Sequence, residues 1–175
     1  HPHFMHKEIY EQPEALERSL RGRIELRRGE VVLGGLADHA RQLVQARRVV
    51  LLGQGTALHA AMIGAQLIEH WCRIPAEAAY ASEFRYRNPV VEEGTVVISV
   101  SQSGETADTL GGLREARERG AFALGVVNVV GSTIARETDA GVHLRVGPEI
   151  GVASTKAFLG QVSVLTLIAA WMGRR

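Results

Sequence analysis

The chain predicts an α/β fold in which a mainly parallel sheet is covered by helices on both faces. This is a three-layer α/β/α sandwich, and three observations carry the prediction. Segments of strand length alternate with segments of helical spacing over most of the 175 residues. The strand-length runs at 49–52, 96–100 and 123–127 are mostly apolar rather than alternating, the pattern of strands buried on both faces. Turns rich in Gly, Ser or Thr, at 53–57, 101–106 and 151–156, fall at strand ends or helix starts. In open α/β sheets that is where ligands bind.

In chain order, residues 7–21 carry apolar spacing at Ile9, Leu16 and Leu20, and Pro13 suits the first turn of a helix. Gly22, Gly29 and Gly34-Gly35 mark loops around a short strand. Residues 36–46 read as a helix, 49–52 as a strand, and 56–73 as a long helix with Thr56 as its cap. Pro75 ends that helix, 76–80 is a strand, and Ser82 caps a short helix that Pro89 terminates. Strand 96–100 leads into helix 106–119, which buries Ala107, Leu110 and Leu113 and stops at Gly120. A strand at 123–127, a helical turn near 133–137 and a strand at 142–144 follow. The apolar stretch 158–172 belongs to a terminal helix starting near Ser154. It reads as too short and too mixed to span a bilayer, and its apolar surface calls for a cover, either more chain or another subunit.

Composition narrows the function. Hydrophobic residues make up 46% and charged residues 22%, with a net charge of +1. That balance offers no electrostatic footprint for nucleic acid or a membrane surface. A chain of this length buries roughly 70% of its unfolded surface and folds as one domain without staples. The single cysteine, Cys72, rules out an internal disulfide, fits a reducing, cytoplasmic setting, and reads as a structural thiol in an apolar helix. No signal peptide is visible at the N-terminus, where His1, His3 and His6 read as a flexible tract rather than a metal site.

Ser101-Gln102-Ser103-Gly104-Glu105-Thr106 carries the chemistry. Three hydroxyls, an amide and a glycine sit between a strand and a helix N-terminus. Unpaired first-turn N–H groups and the helix dipole favour an anion there. No Lys or Arg lies in the loop, which excludes a Walker-type nucleotide loop, and a small phosphorylated metabolite fits better. Capping alone would need only Ser103. Gly53-Gln54-Gly55 lacks the third glycine of a dinucleotide fingerprint, because position 58 is leucine. The helix dipole explains Glu105, and Glu149 lies beside the expected site. His39, His59, His70 and His143 show no ligand spacing.

Residues 101–109, Ser-Gln-Ser-Gly-Glu-Thr-Ala-Asp-Thr, resemble the sugar-phosphate isomerase (SIS) domain. Ala81-Ser82-Glu83-Phe84-Arg85-Tyr86-Arg87 and the highly specific block Gly147 to Phe158 narrow the likeness to the glutamine–fructose-6-phosphate aminotransferase family, the glucosamine-6-phosphate synthases. The segment from Phe4 to Pro13 is similar to the start of that family's isomerase region, so the likeness covers nearly the whole chain. The resemblance implies a doubly wound, flavodoxin-like SIS fold: one domain over 1–175, with residues 1–45 an N-terminal helical segment packed on it. It implies binding of fructose 6-phosphate or glucosamine 6-phosphate, no cofactor, no metal, and a homodimer. By position, Ser101, Gln102, Ser103 and Thr106 would hold the phosphate. Thr56, Val152 through its backbone, and Ser154 would contact the sugar. Ala57 stands where the family usually has serine and brings no hydroxyl. The partners implied are a glutaminase domain and a second SIS subdomain, which carry the catalytic base, ring-opening histidine and lysine, so no catalytic residue is expected within these 175 residues. The other readings are a stand-alone sugar-phosphate-sensing module, or a small phosphosugar isomerase drawing its base from Glu83, Glu105 or Glu149.

Overall fold

Successive residues of the central strands point to opposite layers, and both sets are apolar. Val49 and Leu51 join one buried cluster, while Val50 and Leu52 join another. In the computed structural model, which describes residues 1–174, the chain opens with α1 (Phe4–Tyr10) and α2 (Gln12–Leu20). An antiparallel hairpin of β1 (Ile24–Glu25) and β2 (Glu30–Val31) follows, then α3 (Gly34–Ala37) and α4 (Ala40–Val44). The body continues with β3 (Arg48–Gly53), α5 (Thr56–Cys72), β4 (Ala76–Tyr80), α6 (Ala81–Tyr86), β5 (Thr95–Ser101) and α7 (Ala107–Glu118). It ends with β6 (Phe122–Val127), α8 (Thr133–Glu137), β7 (Ala140–His143) and α9 (Lys156–Gly173).

Strands β3 to β7 form one parallel sheet of order β4-β3-β5-β6-β7. This is the doubly wound order in which strand direction of travel reverses between the first and third strands, here β3 and β5. Their carboxyl ends therefore flank the crevice where such sheets bind ligands. On one face Ala60, Ala61 and Ile68 of α5 and Val164 and Ile168 of α9 pack with Leu51, Ile98 and Leu124. On the other, Phe84 of α6 and Ala116 of α7 cover Val50, Leu52 and Val97, and Ile134 of α8 covers Ala123 and Val127.

Four local expectations change. The helix expected over 36–46 is two short helices that break at Asp38 and His39, where the His39 ring packs on Phe122 at 5.3 Å. Ser82 does not cap α6: β4 runs directly into the helix, and Tyr80 takes the cap position without a side-chain bond. Two of the N-terminal histidine rings pack on Tyr10 of α1, His1 stacked at 5.5 Å and His6 edge-on at 5.2 Å. Residues 1–45 also hold the β1–β2 hairpin and are not purely helical.

The terminal helix departs furthest. α9 spans 18 residues with a mean hydropathy of 1.3, long and apolar enough to cross a membrane, so the reading of the stretch as too short is corrected. Its burial decides its role: 61% lies inside the protein. Within these residues its cover comes from α5, α2 and β2. Ser163 and Thr166 satisfy their hydroxyls on the carbonyls of Leu159 and Val162 and lie on the half-buried stripe of the helix. Cys72 is half-buried, its thiol facing the Ala169 carbonyl at 3.4 Å, and burial pushes its pKa up.

At the start of α9 the Lys156 ammonium is buried and pairs with Glu11 at 2.5 Å. Hydrogen bonding from Lys156, with help from Lys7, holds the Glu11 carboxyl below its ordinary value of 4.5. A lowered folded pKa stabilises above the unfolded value and is lost as pH falls through the folded one. Glu11→Gln is expected to lower the neutral-pH melting temperature by about 2–4 °C, since the buried ammonium loses its partner. Melting curves on descending pH should show the gap to the parent chain closing below 4.5.

Candidate functional site

Three loops meet at the carboxyl end of the sheet. The first leaves β3 through Gln54 and Gly55. Gly55, with φ 56° and ψ −130°, occupies the cap position of α5, so Thr56 is already inside the first turn and does not cap it, contrary to expectation. The turn is closed by the backbone instead, Ala57 N–H to the Gln54 carbonyl and Leu58 N–H to the Gly55 carbonyl. The Thr56 side chain is thereby left to line a cavity.

The second loop follows β5. The Ser101 hydroxyl, 2% exposed, accepts the Gly104 N–H at 3.0 Å and lies 3.1 Å from the Thr106 hydroxyl. The Ser103 hydroxyl accepts the Glu105 N–H at 3.1 Å. Ser103 therefore shapes the turn rather than capping α7. Thr106 holds the cap position, and no side chain among the described residues caps the helix. Gly104 adopts φ +68°, and a Cβ there would meet the Ser132 hydroxyl, so only glycine fits the turn. Glu105 is not merely a dipole partner of α7. Its carboxylate accepts the Thr133 N–H at 2.7 Å, binding the loop to α8, and hydrogen bonding from Thr133 lowers its pKa.

The third loop, between β7 and α9, is held by side chains at several points. Asn128 donates to the Gly147 carbonyl at 2.7 Å and accepts the Val146 N–H at 3.1 Å. The Glu149 carboxylate accepts the Ser154 hydroxyl at 2.9 Å and the N–H groups of Thr155 and Ala157 at 2.9 and 3.2 Å. It thus binds the helix start, where a carboxylate is favoured. The Ser154 hydroxyl in turn accepts the Phe158 N–H at 3.2 Å. Glu8, 3% exposed on α1, accepts the Ile150 N–H at 2.6 Å and the Gly151 N–H at 3.1 Å. A Cβ at Gly151 would stand 2.6 Å from the Glu8 carboxylate, so this anchor requires glycine opposite it.

The loops enclose a cavity of about 160 Å³. Thr56, Ser101, Gln102, Ser103, Thr106 and Ser154 all line it. Val152 does not: its side chain is fully exposed on the loop outside. Gln54, Ala57, Thr109 and Gln161 also line the cavity and were not among the expected site residues. For Gln161 the signal was a buried-length amide inside an otherwise apolar helix. For Thr109 the signal was its place at the end of the 101–109 motif, although by helical spacing it reads as an ordinary core position. No Lys or Arg lines the cavity, so an anion there would rest on hydroxyls and N–H groups. Among the described residues no cluster of His, Cys, Asp and Glu could hold a metal ion. A larger cleft of about 560 Å³ between Arg47, Glu93 and Phe122 lies at the opposite, amino end of the strands, away from these loops.

Removing the Glu8 anchor frees two backbone N–H groups, each unmade bond costing about 1–3 kcal/mol. In Glu8→Ala, hydrogen exchange at the Ile150 and Gly151 amides should quicken about tenfold or more while amides of β5 stay protected. Unchanged exchange at both would mean that Glu8 does not hold the loop.

The SIS domain family matches residues 42–170. The glutamine–fructose-6-phosphate aminotransferase (isomerizing) of Bacteroides thetaiotaomicron is 53% identical over 99% of this chain and 28% of its own length. The rat enzyme of the same name, form 1, is 48% identical over 97% of this chain and 25% of its own. The chain thus spans about a quarter of the curated relatives it matches. Among solved structures, the C-terminal domain of glucosamine-fructose-6-phosphate aminotransferase from Francisella tularensis superposes with a TM-score of 0.91 at 35% identity, over 99% of this chain and 48% of that one. With the family matched across the sheet and both its helical layers, the chain belongs to the SIS domain family.

Proposed function

We propose that this chain is the sugar-phosphate-binding part of the isomerase region of a glutamine–fructose-6-phosphate aminotransferase, and that it acts as one SIS domain. The observation that carries the reading is the hydroxyl-lined cavity at the β3/β5 switch point, built from loops 54–56, 101–106 and 149–156. The identity to enzymes of that name over nearly the whole chain supports it.

In this reading the phosphate of fructose 6-phosphate sits at the uncapped N-terminus of α7. The hydroxyls of Ser101, Ser103 and Thr106 and the amide of Gln102 donate to its oxygens, and the dipole of α7 favours its charge. Thr56, Ser154 and the Val152 backbone contact the sugar. Ser154 already gives its proton to Glu149, so it meets the sugar as an acceptor of a hydroxyl hydrogen. Anchoring and orientation are this chain's contribution to rate. Aldose–ketose isomerisation also needs a base and a ring-opening acid. Those come from the second SIS subdomain, ammonia comes from the glutaminase domain, and the parent enzyme is a homodimer.

Calorimetric titration of this chain with fructose 6-phosphate, beside unphosphorylated fructose, tests the reading. Binding that requires the phosphate is expected. Ser103→Ala should weaken it about tenfold to a hundredfold, the worth of a hydrogen bond to a charged group. Equal heats from the phosphorylated and unphosphorylated sugar, or no binding of either, would refute the proposal.

A further inference from the structure

We infer that Gln161, with Thr109, binds the sugar portion of the ligand from the buried side of the cavity, an inference that rests on the sugar-phosphate reading above. Gln161 lies on α9 and Thr109 on α7, and each is 1% exposed. Both line the cavity. The Gln161 side-chain oxygen and the Thr109 hydroxyl have no hydrogen-bond partner among the described residues.

The contrast within α9 is informative. Ser163 and Thr166 return their hydroxyls to carbonyls of their own helix. Gln161 has no such bond, and it faces the hydroxyl-lined cavity. A buried polar group without a partner costs about 1–3 kcal/mol, so leucine or methionine would serve packing better in the empty protein. A glutamine placed here is useful once something with hydrogen-bonding groups enters.

The chemistry points to hydroxyls. The amide offers an acceptor oxygen and two N–H donors, and the threonine hydroxyl both donates and accepts. Neither is charged, whereas the anion already has its own place at the N-terminus of α7. A sugar hydroxyl donates and accepts at once, and so can satisfy both groups. Gln161 thereby distinguishes a hydroxyl at that position from a hydrogen, because an analogue lacking it would leave the amide unpaired.

The test sets stability against affinity in the same variants. Gln161→Leu and Gln161→Met are made in this chain, with thermal melting of the ligand-free protein and calorimetry with fructose 6-phosphate. The expected result is a melting temperature equal to or above the parent, with affinity weakened about tenfold or more. A purely structural role would instead lower the melting temperature. Unchanged affinity in either folded variant, or a fall in melting temperature in both, would overturn the role of Gln161 while leaving the sugar-phosphate reading intact. Absence of binding in the parent chain would overturn the sugar-phosphate reading itself, and the inference with it.

Discussion

An 18-residue helix as apolar as α9 has to bury most of its surface, and its packing organises this molecule. α9 packs against α5, α2, β2 and the sheet strand β6. The N-terminal segment is part of the core: Ala15, Leu36 and Leu43 are wholly buried with the residues of α9. Enclosure also fixes where the start of α9 lies. Gln161, in the second turn of α9, and Ser154, just before it, thereby reach the cavity at the carboxyl edge of the sheet.

Carboxylates secure the loops at that edge. Glu8 holds 150–151, Glu105 holds 133, and Glu149 holds 154–157, each by accepting backbone N–H groups. Charge-assisted bonds of this kind are about twice as strong as neutral ones. They fix the backbone and leave the short hydroxyl side chains to face the cavity. In the proposed function the division matters for affinity, because a backbone already held in position loses little freedom when a ligand arrives.

The strand pattern was legible because burial on both faces leaves its own mark, and the run at 96–100 became a strand whose odd and even positions serve two clusters. The turn at 101–106 was legible for a similar reason: hydroxyls and a glycine at a strand end have few uses. Helix caps were not legible at Thr56 or Ser82, where backbone geometry alone closes the first turn. Gln161 and Thr109 were hidden inside helical spacing, where residue type says little about which cavity a side chain meets. Glu8 looked like one of many acids on a charged helix. Its role depends on a contact across 142 positions, which no local pattern records.

That separation has a kinetic side. Contacts between residues 8 and 150, and between 11 and 156, join nearly opposite ends of the chain. Contacts so distant along a chain form slowly, because closure entropy is spent before they reward it. During synthesis α1 to α4 emerge before α9, the helix that completes their core. Until then Ala15, Leu36 and Leu43 have no complete core to enter. The cavity is accordingly completed only once α9 has been made, and until then the apolar residues of α2, α3 and α4 are open to aggregation.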